Sequence, residues 1–208
     1  MMVKAKGPVW HAKHRAANYV PAKLRNLDKQ ATWCKSRADG WVYGHGTFSM
    51  VSHRVPVLGL FLWMPNSGNE AKRMYQEAPC FQKALSWLAM DSKADDQKIF
   101  HGLRNHCQIN LVTVCRKTMN KTQGRRDMIA IMQSSRRQRI LKERSYTVEP
   151  MQGLVKNIFD LDRCWMKGDH NNRWLFAAMG IAIQMAQLNA FNENRSTWKI
   201  KSEVLGEP

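Results

Sequence analysis

At 208 residues, 44% of them hydrophobic, the chain is long enough for one domain with a sizeable core, and its composition excludes disorder as the default. Thirty-three Lys and Arg against 16 Asp and Glu leave a net charge of +17. That charge opposes compaction unless a polyanion neutralises it, and nucleic acid is the commonest such partner. Five cysteines (Cys34, Cys80, Cys107, Cys115, Cys164) without C-x-x-C spacing exclude a disulfide framework and a zinc knuckle, and read as reduced thiols of a cytosolic protein.

The first residues, Met1 to Lys6, become charged at once, unlike a signal peptide. Residues 1–40 carry nine Lys or Arg, Asp28 and Asp39, the breakers Gly7-Pro8 and Pro21, and scattered Trp10, Tyr19 and Trp33. This mixture predicts a basic irregular arm or insertion lying over a core. Its aromatics suit either a surface that tracks a DNA backbone or a loop pinned to its own domain. From Trp41 to Val51 the residues alternate and are rich in β-formers, and Leu58 to Met64 is a second apolar run, so both predict strands. Pro65 to Asn69 is a turn, with Asn69 or Ser67 capping a helix from Glu70 to Leu85. Ser86 to Met90 predicts a short buried strand that stops at Asp91. A helix follows over Ala94 to His106, with Ile99, Leu103 and His106 on one face, then a strand over Ile109 to Cys115. This order implies an α/β layer with parallel pairing.

Residues 116–144 hold ten Lys or Arg against Asp127 and Glu143, a difference of 10 − 2 = +8. Solvated faces are usually mixed in sign, so this cluster, with Arg136, Arg137 and Arg139 at its centre, points to DNA phosphates. A merely solvated face is the alternative. Over Asn172 to Ala190, the residues Trp174, Ala178, Ile181, Met185 and Leu188 recur at 4-3-4-3 steps, which predicts an amphipathic helix packing that stripe on the core. A partner helix is the weaker alternative, and residues 191–208 read as a tail. The most apolar stretch, Leu175 to Ala186, is shorter than the ~20 residues of a membrane span. A soluble, cytoplasmic protein with no membrane partner is expected, associated with the nucleoid when bound to DNA.

Cutting and joining nucleic-acid strands needs carboxylates that hold paired metal ions. Two acids stand where such ligands belong. Asp91 follows a buried strand, where α/β folds place their sites; it equally suits the cap of the next helix, with Asp95 and Asp96 favouring the dipole. Glu149 lies between Arg144 and Lys156 and, on a helix, shares a face with Lys156 two turns on. An acid just ahead of Pro150 is also an ordinary helix start.

In this order the segments resemble the DDE transposases of bacterial insertion sequences. Asp91-Ser92-Lys93-Ala94-Asp95 is similar to that family's second acidic motif, and Thr147-Val148-Glu149-Pro150-Met151-Gln152-Gly153-Leu154-Val155-Lys156 to its third. Trp41-Val42-Tyr43-Gly44-His45-Gly46 resembles its second strand, and Trp174-Leu175-Phe176-Ala177-Ala178 its closing helix. The resemblance spans about residues 41–190. It implies a ribonuclease-H-like α/β domain with a mixed sheet flanked by helices, in which 116–144 is a basic insertion. It also implies Mg²⁺ or Mn²⁺ on Asp91 and Glu149, phosphate contacts by Arg144 and Lys156, and double-stranded DNA as partner, with a homo-oligomer forming on it. Two departures stand out. The Tyr and Arg common before the third acid are replaced by Lys142 and Ser145, leaving Arg144 as a shifted substitute. The family's first Asp lies on a strand ahead of the segment where this sequence starts, so a core without its first strand, and an inactive copy, is expected. Asp28 and Asp39 are the only acids before Trp41, and both stand in loop-like context, where they are not expected to replace it. A non-catalytic nucleic-acid-binding protein on the same fold is the runner-up, and a basic RNA-associated protein the third class.

Overall fold

Gly40–Val51 is the spine of an antiparallel sheet, where the alternation from Trp41 onward predicts a strand. The structure, a computed structural model, describes residues 1–5, 28–36, 40–53, 55–116, 122–144 and 146–206. These divide into two units, Met1–Gly68 with Met151–Pro208, and Asn69–Pro150.

In the first unit, β1 (Met2–Lys4), β2 (Thr32–Ser36) and β4 (Leu58–Pro65) all pair antiparallel with β3 (Gly40–Val51). The β4 register sets Met50 against Leu60, Thr47 against Trp63 and His45 against Pro65. β1 and β2 lie on opposite edges of β3, so Gly44 is paired with Lys4 on one side and with Thr32 on the other, the side that β4 continues. A Cβ at Gly44 would stand 2.0 Å from the Val3 carbonyl oxygen, so only glycine admits β1 there. These two strands, β1 and β2, stand within the stretch read as an irregular arm, of which residues 6–27 and 37–39 lie outside the described residues. At three and five residues they are too short to show a period, and hydrogen bonding to β3 orders them. Trp10, Tyr19 and Asp39 lie outside the described residues.

Two helices complete this unit's core. One is α5 (Val148–Ile158), whose first three residues belong to the other unit; the second is α6 (Asp169–Asn192). Phe61 and Trp63 of β4 pack with Met151, Val155, Phe176, Met179 and Ile183. The α6 face predicted to be inside is the outer one. Trp174, Ile181, Met185 and Leu188 are 69%, 60%, 63% and 55% exposed, and Ala178 is exposed with them. The buried face carries Asn172, Phe176, Met179, Gly180, Ile183, Ala186, Gln187 and Ala190. Gly180 lets the helix close on Phe61, whose Cβ lies 3.0 Å from where an alanine Cβ would be. Gln187 accepts from the Leu58 amide at 2.8 Å and donates to the Pro56 and Thr197 carbonyls at 3.2 and 3.1 Å. By length and composition α6 is long and apolar enough to cross a membrane, which the stretch from Leu175 to Ala186 by itself is not. The expected tail, 191–208, contains α7 (Lys201–Leu205) and the buried Ile200.

The second unit is α/β. Here β5 (Trp87–Ala89) and β6 (Asn110–Val112) pair in parallel, as the strand–helix–strand order implies. Helix α1 (Glu70–Phe81) begins at the Asn69 cap, whose side chain accepts from the Lys72 amide, and stops short of Leu85. Between the strands, α2 (Gln97–Cys107) buries Phe100, Gly102, Leu103 and Cys107 rather than a face through His106, which is exposed. The basic segment forms α3 (Gln123–Met132), which buries Met128 and Met132, and α4 (Ser135–Arg144), which buries none of its residues. All five cysteines are free.

Candidate nucleic-acid and metal site

Asp91 sits at the carboxyl end of the parallel strand pair. The Met90 amide still bonds to Val112, and the chain then leaves the sheet. Its side chain accepts from the Lys93 amide at 2.9 Å and caps a single 3-10 turn over Ser92–Ala94. The Asp91 carbonyl accepts from Thr113 Oγ1 at 2.6 Å, which ties this corner to the residue after β6. The carboxylate is therefore a cap, and it retains lone pairs for a further ligand.

The two acids that follow have structural duties. Asp96 caps α2, accepting from the Lys98 and Ile99 amides at 2.7 and 3.2 Å. Asp95 is buried against Arg125, with contacts of 2.5 Å to Nη1 and 2.6 Å to Nη2, and also accepts from the Arg116 amide. Burial alone would raise the Asp95 pKa; the Arg125 bonds, the Arg116 amide and the nearby positive charge outweigh it and hold the carboxyl below its usual range. Arg125 is thus withdrawn from the basic cluster into an ion pair.

Glu149 is exposed in the first turn of α5 and makes no ion pair or hydrogen bond with a described residue. An acid there complements the helix dipole, as expected of an ordinary helix start. Arg144 ends α4, and its carbonyl accepts from the Thr147 amide at 3.2 Å. Lys156, two turns beyond Glu149, pairs with Asp162 at 2.6 Å on the surface. Asp28 is not available as a substitute ligand, because His45 and the Gly168 and Gln30 amides occupy its carboxylate.

No group of three or more His, Cys, Asp or Glu side chains suited to a metal ion occurs among the described residues. Asp91 and Glu149 belong to the same unit, but no hydrogen bond or ion pair joins them. Two carboxylates are too few for the paired ions of strand transfer. The residues present do not fit the metal that the resemblance implies.

The basic segment is better organised than its sequence suggests. Arg136 and Arg137 lie over the Trp87 ring, 4.5 and 5.1 Å from its centre. Such stacking orients a guanidinium while its donors stay free for a phosphate. Arg136 and Arg139 are exposed and, with Ser135, line an open depression of about 430 Å³. Arg137 is half-buried and turned inward, donating to the Ile131 carbonyl and Ser134 Oγ. Burial, then the nearby charges of Arg104 and Arg136, lowers its pKa. Trp87 was legible only as a strand residue; no periodicity connects it with arginines 49 and 50 positions later.

Comparison with protein-family models, curated proteins and solved structures found no match to this chain.

Proposed function

We propose that the chain handles double-stranded DNA and is a copy of a DDE-type transposase with a ribonuclease-H-like core, which binds DNA without cutting it. The observation that carries this reading is the place of Asp91: the end of a parallel strand pair, after an antiparallel hairpin and ahead of the helix that holds Glu149. The order of these segments along the chain follows the sequence of parts that the resemblance implies. The +17 charge and the open basic depression at Arg136 and Arg139 favour a polyanion. Arg144 and Lys156 are proposed as further phosphate contacts, Lys156 by exchanging Asp162 for phosphate. Mg²⁺ or Mn²⁺ would belong to a complete three-acid site, and Asp91 and Glu149 supply only two of its ligands.

The test is duplex binding by the purified 208-residue chain across a salt series, with supercoiled plasmid and Mg²⁺ or Mn²⁺ as a parallel assay. Binding that weakens steeply with salt, without nicking or joining, is the expected result. Absence of duplex affinity at low salt overturns the DNA reading. Metal-dependent strand transfer that Asp91→Ala abolishes overturns the two-acid argument and means that another acid completes the site.

A further inference from the structure

We infer that the exposed stripe of α6 is a self-association surface, on which two copies of the chain pair α6 against α6 in antiparallel fashion. Trp174, Ala178, Ile181, Met185 and Leu188 follow one another at the alternating steps of a coiled-coil seam. Between them, Phe176, Met179, Gly180, Ile183, Ala186 and Gln187 are already buried in their own unit. The seam is therefore a second apolar face on a helix whose first face is satisfied.

The chemistry of the stripe limits its occupant. From Trp174 to Asn192 there is no Asp, Glu, Lys, Arg or His. A polyanion finds nothing to bind there. Helices that lie on membranes flank their apolar face with Lys and Arg, and this one does not. A 3.5-residue seam fits the grooves of another helix. Charged flanks are also what would select a foreign helix over an identical one, and their absence leaves self-pairing unopposed. In a chain of net charge +17, this uncharged surface is where a second copy can approach with least repulsion.

Shape points the same way. With the two-fold axis at the level of Ile183, antiparallel pairing sets Ala178 against Leu188 of the second copy and Ile181 against Met185 of the second copy. Ala178 leaves room for Leu188, Ile181 meets the adaptable Met185, and each contact occurs twice, as a closed dimer requires. Trp174, Ile181, Met185, Leu188 and Phe191 are each more than half exposed. They offer on the order of 600 Å² per copy, so a pair buries roughly 1,200 Å², at the lower limit for a specific interface. The inference does not depend on the DNA reading.

Sedimentation velocity on the full chain without DNA, from roughly 1 to 100 µM, tests it. A concentration-dependent dimer is expected. Ile181→Glu with Leu188→Glu should weaken it by about 100-fold, because each copy then buries charge at the seam, while circular dichroism and the melting curve stay unchanged. Trp174→Gln with Met185→Lys is the second pair, should the first fail to fold. A monomer at every concentration overturns the inference, as does a dimer that both pairs leave intact. A monomer that co-sediments with phosphatidylcholine vesicles also overturns it, in favour of lipid. Duplex affinity measured on the same variants separates loss of pairing from loss of DNA binding.

Discussion

Asp28 and His45 form a buried pair, with His45 Nε2 donating to Asp28 Oδ2 at 2.8 Å. The direction follows from the other ring nitrogen, since Nδ1 accepts from the Trp63 indole at 2.9 Å and an indole N–H can only donate. The proton of the His45–Asp28 bond therefore lies on Nε2. The same carboxylate accepts from the Gly168 amide at 2.9 Å and the Gln30 amide at 3.1 Å. Asp28 thus joins the loop before β2 to β3 and the start of α6, and His45 extends the network to Trp63 of β4.

Asp28→Ala should cost about 2–4 kcal/mol, because it leaves buried donors on His45 and Gly168 without an acceptor. Urea unfolding followed by circular dichroism measures this. A loss under ~0.5 kcal/mol, the range of ordinary surface substitutions, would mean that the network is incidental.

Acid should unfold the protein through Asp28 and Asp95. Burial raises the Asp28 pKa, but the His45 bond and the Gly168 and Gln30 amides outweigh it, so the folded value lies below the usual 3.8. Asp95 is lowered in the same sense by Arg125. A depressed carboxyl stabilises the fold above its unfolded pKa and loses that contribution as pH falls through the folded value. Stability should therefore decline below about pH 4, and Asp95→Asn should be less stable at pH 7 with a shallower acid limb. An acid limb as steep as that of the unaltered chain would remove Asp95 from the account.

The salt dependence of duplex binding should depend on Arg136 and Arg139 more than on Arg137. Each phosphate contact contributes about 0.9 to the slope of log affinity against log salt, so Arg136→Gln with Arg139→Gln should flatten it by roughly 1.8. Adding Arg137→Gln should change the slope little and lower stability instead. Unchanged slopes in the double and triple variants would return this cluster to the role of a solvated face.

Alkylation should distinguish the cysteines. Cys115 is pushed up to about 11, by burial first and then by the Asp95 charge; Cys164 reaches about 12, by burial and then the Asp28 charge. Only the thiolate reacts. At pH 8 iodoacetamide should label the exposed Cys80 and spare both. Rapid labelling of Cys164 in the folded chain would show that its surroundings open readily.

Some of the architecture was readable from local chemistry. Alternation marked β3, Asn69 marked the start of α1, and Asp91 marked the end of a short strand, half-buried rather than buried as expected, because each signal arises within a few residues. The pairing of β1 with β3, Arg125 with Asp95, and Arg136 with Trp87 depends on partners 30 to 49 positions apart, and no period records it. On α6 the sequence determined two things: that the segment is a helix, and that Trp174, Ala178, Ile181, Met185 and Leu188 share one face. Which face turns inward was a tertiary decision, because the helix is apolar on both. Gly180 admitted Phe61, and Gln187 found the Leu58 amide and the Pro56 carbonyl, on the side opposite the stripe. Close approach and satisfied backbone groups outweighed the larger side chains, and left them outside.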